Sequence, residues 1–200
     1  MQKGNLHSVF IPLGEQEQLR SLFRRSNHLV KQLRTIKNYI KSLLLYYGIP
    51  LPEEFDNANW SHGMKKWLSD LKWKFSTGIS TMQSQLKQLE FLWYEELHIS
   101  NELRAYCRKH YKKDYYLLKS IPGIGGITAS GILAELGDIR KFNSLEFAAI
   151  VGLVPGIYQS SDKKISLGLS KRRNGYLRSL IGIDTGINNC FAGIIFLKCG

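Results

Sequence analysis

Phosphoryl transfer by a side-chain hydroxyl needs the hydroxyl itself and positive charge to stabilise the pentavalent phosphate it creates. In this chain the two converge in one stretch. Tyr158, Gln159, Ser160, Ser161, Asp162, Lys163, Lys164, Ile165 and Ser166 form a polar run, and the basic block Ser170, Lys171, Arg172, Arg173, Asn174, Gly175, Tyr176, Leu177 and Arg178 follows it. Ser160 is the candidate nucleophile. Lys163, Lys171, Arg172, Arg173 and Arg178 are the cations that would hold a phosphate. The ordinary reading of a serine in a polar loop is solvation, and the residues alone leave both readings standing. A third reading takes Ser160-x-x-Lys163 as a serine-hydrolase pair, but no Ser-Asp-Asn or Lys-Thr-Gly partner segment is present.

A second constellation lies upstream, from Leu117 to Leu136. Pro122 ends one helix, Gly123 and Gly125 permit positive φ and a close backbone approach, and a second helix begins by Thr128. The amides opening that helix can donate to a phosphate. Ile121, Ile124, Ile127, Ile132, Leu133 and Leu136 supply the apolar contacts that lock the two helices together. This is the pattern of a helix-hairpin-helix, which contacts the DNA backbone without reading sequence. Pro122, Gly123, Gly125 and Thr128 are therefore candidate DNA-binding residues. The competing readings are an ordinary glycine-rich helical turn and a nucleotide-phosphate loop, and the latter fails because no Gly-Lys-Ser/Thr follows.

Long helices must carry these segments. Leu19, Leu22, Leu29, Leu33, Ile36, Ile40, Leu43 and Tyr47 recur at steps of three and four with Ser26 filling the gap, a heptad seam. Gly48, Pro50 and Pro52 stop that helix. Between Gln18 and Pro52 there is no acidic residue, whereas Arg20, Arg24, Arg25, Lys31, Arg34, Lys37 and Lys41 are basic. A solvated face and a nucleic-acid surface both fit this coat. Ile79, Met82, Leu86, Leu89, Trp93, Leu97 and Leu103 mark a second long helix, so the pair predicts an antiparallel coiled-coil hairpin. The Trp-rich stretch between them reads as a short helical linker.

The bulk numbers agree with a packed, nucleic-acid-facing protein. With 44% hydrophobic residues among 200, the chain can bury a core. Its 28 Lys and Arg outweigh 16 Asp and Glu, for a net charge of +12 that points to a polyanion. The apolar tail is interrupted by Asp184, Asn188 and Asn189, so no membrane span is expected. The first residues lack the apolar run of a secretory signal, and a cytoplasmic location is expected. Cys107, Cys190 and Cys199 show no Cys-x-x-Cys spacing, which predicts free thiols and neither a disulfide framework nor a zinc site.

Several segments now agree in order. Ile121-Pro122-Gly123-Ile124-Gly125, Ala134-Glu135-Leu136-Gly137-Asp138, Lys141-Phe142, Gly152-Leu153-Val154-Pro155, Ser160, Ser170-Lys171 and Tyr176-Leu177-Arg178 resemble the carboxy-terminal domain of the insertion-sequence 110 family of transposases, relatives of the Piv invertase. Upstream, the run from Gly4 to Pro12, Leu19-Arg20-Ser21-Leu22 and Lys37-Asn38 resemble the same family's approach to its coiled coil. The resemblance implies a mainly α fold, with a long antiparallel coiled-coil hairpin followed by a compact helical domain containing the helix-hairpin-helix. It implies residues 1–14 as a remnant of a RuvC-like domain, 15–112 as the coiled-coil region and 113–200 as the carboxy-terminal domain. In that family a RuvC-like domain with four acidic metal ligands precedes the coiled coil, and a serine just before a glycine attacks the phosphodiester. Ser160 falls on that serine, while Ser161 stands where the family usually has glycine. A bridge RNA pairs with donor and target DNA, so the implied partners are DNA, that RNA and further copies of the chain through the coiled coil. Magnesium is implied for the intact family enzyme and no cofactor for this chain, whose first acidic residue is Glu15. The expectation is a DNA-binding transposase portion, inactive by itself. The alternative is a stand-alone DNA- or RNA-binding regulator that oligomerises with an intact transposase.

Overall fold

The computed structural model describes residues 14–55, 60–142, 144–152, 155–160, 163–169 and 174–181, with the backbone alone for 144, 145, 148 and both strands. Helix α1 runs from Gly14 to Tyr46, α2 from His62 to Ser69, α3 from Ser76 to His110, α4 from Lys112 to Lys119, α5 from Gly126 to Leu136, α6 from Ser144 to Val151 and α7 from Gly175 to Ile181. Strands β1 (Pro155–Ser160) and β2 (Lys163–Leu169) lie between α6 and α7. The described residues divide into two compact units, one from Arg24 to Asn101 and the other from residues up to Phe23 together with those from Glu102 onward.

In the Arg24–Asn101 unit, α1 and α3 are joined through the predicted stop. Gly48 takes φ +67, its N–H bonds to Leu45, and the Ile49 N–H bonds to Leu44 at 2.9 Å. These two bonds and the left-handed glycine make a Schellman cap, which satisfies carbonyls that the helix end would orphan. Ser61 then caps α2 by accepting from the Met64 N–H at 3.2 Å. Leu29, Ile36, Ile40 and Leu44 of α1 form one core with Met64 and Leu68 of α2 and Met82, Leu86, Leu89 and Leu92 of α3. Ser26, the interruption in the seam, is buried and its hydroxyl lies 3.1 Å from that of Ser100, which also bonds to Glu96. Two small polar residues therefore face each other where two leucines would otherwise sit.

The α3 seam departs from the spacing expected of it. After Leu89 the buried line steps by three to Leu92 and continues to Ser100, Leu103 and Cys107, so Trp93 and Leu97 are exposed at 43% and 50%. Ile79 and Tyr47 are also exposed. Helical stripes drift relative to a fixed heptad, and steps of three or four after Leu89 both land on apolar residues.

The other unit is built on α5, whose residues from Ala129 to Leu136 are all buried. Leu19 and Phe23 of α1, Leu103 and Cys107 of α3, Tyr115 and Leu118 of α4, Phe147 and Val151 of α6, and Leu177 and Ile181 of α7 surround it. Gly131 lets two of these elements close in: a Cβ there would lie 2.6 Å from the Phe23 ring and 2.7 Å from a Leu180 methyl. The end of α5 is closed by Gly137 at φ +71, whose N–H bonds to Leu133 at 2.8 Å. Gln16 donates its amide to the Leu133 and Ala134 carbonyls at 3.0 and 2.5 Å and accepts from Tyr111 at 3.0 Å. The Ala134 carbonyl at the helix end is thus satisfied, and the Leu133 carbonyl given a second donor, by a side chain more than a hundred residues away.

The mainly helical expectation stands, with one addition: the polar run read as a loop is an antiparallel β-hairpin. Register pairs are Ser160 with Lys163, Gln159 with Lys164, Tyr158 with Ile165, Ile157 with Ser166 and Pro155 with Leu169, with an irregularity between Pro155 and Ile157. Ile165, Leu167 and Leu169 alternate with Ser166 and Gly168, a period of two that marks a strand.

Candidate nucleic-acid interface

Helix α4 closes with the Ser120 N–H bonded to Tyr116 and Leu117, and the Ile121 N–H bonded to Leu118 at 3.2 Å. Ile121 and Ile124 are 5% and 6% exposed, pinning both sides of the turn into the core. Between them Pro122 and Gly123 are pushed outward and exposed, as is Gly125. Gly123 takes φ +88, a conformation that a side chain would strain. Gly125 does not share it: its φ is −80 with an extended ψ of 173. What Gly125 contributes is bareness, since an added Cβ would meet nothing within 4 Å.

The first α5 hydrogen bond runs from the Ala129 N–H to the Gly125 carbonyl at 2.9 Å. The amides of Gly126, Ile127 and Thr128 precede it and have no acceptor within the helix. Thr128 is partly buried on this first turn. Gly126, which sequence reasoning passed over, packs tightly: a Cβ there would lie 2.7 Å from the Tyr115 hydroxyl and 3.3 Å from Cδ of Arg104. Arg104 therefore stands beside the opening of α5, and Lys119 lies with its Nζ 6.0 Å from the Tyr115 ring centroid. Nothing in the local spacing marks Arg104, because it reaches the turn from α3.

The Ser160 stretch hangs on a clamped base. The chain leaves α6 at Gly152 and is held again at Asn174, whose N–H bonds to the Ile150 carbonyl at 2.9 Å. Asn174 Oδ1 accepts from the N–H groups of Tyr176 and Leu177 at 3.0 and 3.2 Å, capping α7. Its Nδ2 donates at 2.8 Å to the Glu135 carboxylate. That carboxylate, whose side chain is 1% exposed, lies 3.5 Å from Arg20 Nε, and Arg20 Nη2 donates to the Glu135 carbonyl at 2.9 Å. A buried carboxylate demands such partners. The pairing of Glu135 with Arg20 is not marked in the sequence because it joins α5 to α1 across the fold.

The structure separates the predicted cations. Arg178, grouped with the phosphate-facing residues, is instead 7% exposed, with its Nη1 donating to the Gly152 carbonyl at 3.4 Å. A helix of seven residues presents one face to the core, and Arg178 directly follows the buried Leu177 on that face. Ser160 and Lys163 end their strands as register partners. Ser161, Lys171, Arg172 and Arg173 lie outside the described residues, with the last immediately preceding the Asn174 cap.

Among the described residues no group of three or more His, Cys, Asp or Glu side chains comes together. Likewise, among the described residues no helix is long and apolar enough to cross a membrane.

Residues 115–183, which contain the turn, Ser160 and the α7 cap, match the family described as Transposase IS116/IS110/IS902. The transposase for insertion sequence element IS1111A of Coxiella burnetii is 30% identical over 176 residues, 84% of this chain and 45% of that protein. The transposase for insertion sequence element IS1328 of Yersinia enterocolitica is 27% identical over 186 residues, 88% of this chain and 52% of that protein. The chain spans about half the length of these relatives.

Proposed function

We infer from these matches that the chain is a member of the IS116/IS110/IS902 family of transposases, and from that premise we propose that it binds duplex DNA through the α4–α5 turn and presents Ser160 to a phosphodiester. The observation that carries the reading is the turn itself. Two buried isoleucines hold Pro122, Gly123 and Gly125 outward, directly ahead of three amides without intrahelical acceptors. This is a helix-hairpin-helix arrangement suited to a phosphate, and Arg104 and Lys119 add positive charge around it.

Ser160 is the proposed nucleophile. Its oxygen would bond to phosphorus as the bridging deoxyribose oxygen leaves and takes up the proton that the hydroxyl gives up, joining the chain covalently to one DNA end. The clamp from Asn174 to Ile150 and Glu135 holds the hairpin base for that task. Strand cleavage is proposed for a longer assembly that includes a RuvC-like domain, not for residues 1–200 acting alone. Self-association is proposed too, on the face of α3 where Phe91, Tyr94 and Leu97 are exposed, because the α1 seam is already covered within the chain.

Gly125→Val tests the turn, since it adds bulk at an open position without a positive φ. Its DNA affinity should fall about tenfold, and the slope of log K against log salt should shrink by about 0.9 for each phosphate that the variant no longer neutralises. Unchanged affinity and slope in a folded variant would remove the turn from the interface. With a relative's RuvC-like half and its RNA supplied, a covalent protein–DNA adduct should vanish in Ser160→Ala and persist in Ser161→Ala. The reverse pattern moves the nucleophile by one residue.

A further inference from the structure

We infer that α1 carries a second DNA-docking surface, separate from the α4–α5 turn, along Arg24, Asn27, Lys31, Arg34, Asn38 and Lys41. These residues follow one another at steps of three and four, so they share one line on the helix. All are exposed or partly exposed, while Ser26, Leu29, Ile36, Ile40 and Leu44 occupy the buried side. The line is about 25 Å long at ~1.5 Å per residue, which matches about seven base pairs at ~3.4 Å each.

Charge decides between a solvated face and a docking face. A solvated helix surface intersperses both signs, yet no acidic residue occurs from Gln18 to Pro52. Cations and asparagine amides are the donors that contact phosphates without reading bases. At one end of the line, Arg34, Lys37, Asn38 and Lys41 border a half-open pocket of about 360 Å³ that Val30, Leu33 and Trp60 also line. Lys37 Nζ lies 5.8 Å from the Trp60 ring centroid, and burial lowers its pKa from the ordinary 10.5. An anion seated there would offset that cost of burial.

None of the six residues of the line is aromatic and Trp60 is only 5% exposed, so the line itself offers no platform on which unpaired bases could stack. Binders of single strands rely on exposed aromatic rings for that purpose. The occupant is therefore a duplex met through its backbone. Its identity as DNA rests on the reading proposed above, whereas the docking line itself does not.

The test is fluorescence anisotropy of the whole chain with a random-sequence DNA duplex across a salt series. Lys31→Gln, Arg34→Gln, Lys37→Gln and Lys41→Gln are combined in one variant. A second variant combines Lys66→Gln, Lys72→Gln, Lys74→Gln and Lys87→Gln, exposed lysines of the same unit, so both lose four charges. The first should lower the salt slope by roughly 2 to 4, at about 0.9 per phosphate, and the second by less than about one. Equal losses in the two variants would reduce the effect to bulk charge and overturn the inference. Tighter binding by the wild type to duplex RNA or to anionic phospholipid vesicles than to DNA would overturn it as well. If DNA binding depends on the α1 line but is untouched by Gly125→Val, the turn fails and the line stands. If it depends on the turn alone, the line fails and the turn stands. Circular dichroism and intrinsic tryptophan fluorescence separate either loss from unfolding.

Discussion

The side-chain amide of Asn174 donates at 2.8 Å to the buried carboxylate of Glu135, while the Asn174 carbonyl oxygen caps α7. One residue thus ties the return of the Ser160 hairpin to the most buried helix of its unit. Asn174→Ala removes the cap, at about 1 kcal/mol, and strips a buried carboxylate of a partner, at about 1–3 kcal/mol. Urea unfolding should show a loss of roughly 2–4 kcal/mol. Limited proteolysis between Gly152 and Asn174 should accelerate, and an unchanged cleavage rate would show that the clamp does not hold the hairpin.

Gly131 should not tolerate a methyl group. Alanine would gain about 1 kcal/mol in helix propensity, but its Cβ would press on the Phe23 ring and a Leu180 methyl, an overpacking cost of about 1–3 kcal/mol. The expected result is net destabilisation by chemical denaturation, relieved in the double variant with Phe23→Leu. A stabilised single variant would mean that the ring yields freely.

Alkaline pH should loosen the same core. Burial pushes the Cys107 thiol from its ordinary 9.0 up to about 11, against a smaller lowering contribution from the Ser130 side chain. A raised folded-state pKa gives stability that is complete below the unfolded value and disappears as pH climbs through the folded one. Stability should therefore decline between about pH 9 and 11, and Cys107→Ala should flatten that decline. Tyr106, held up to about 12 by its hydrogen bond to Glu15, acts at higher pH, and Tyr106→Phe separates the two.

Phe91 and Tyr94 are 61% and 70% exposed on α3. An exposed apolar stripe of this kind favours association. Sedimentation should show a species larger than one chain that becomes monomeric when both are changed to glutamate. A monomeric wild type would show that the intramolecular seam is sufficient.

Local signals were readable in the sequence, and long-range ones were not. Gly48 and the two prolines stop α1 because their backbone restrictions act on their own neighbours. The turn around Pro122 and Gly123 was legible for the same reason. Leu92 against Trp93 was not, because both are apolar and only the packing of α3 chooses the step. The strands were hidden by their polar half, although Ile165, Leu167 and Leu169 carried the alternation. Arg178 read as a free cation because its sequence neighbours are basic, whereas its partner is the carbonyl of Gly152. The pairings made by Gln16, Arg20 and Glu135 gave no signal, since each joins residues distant in sequence.

The closed base at Ile150, Gly152 and Asn174 also bears on how such proteins diversify. Once the ends of a segment are fixed, lengthening it costs little, about 0.6 kcal/mol for each doubling. Residues 153–173 can then gain, lose or exchange positions while the helices beneath keep their packing. Selection can act on that stretch as a cassette, with the residues around the proposed nucleophile Ser160 free to vary and the mounting held constant.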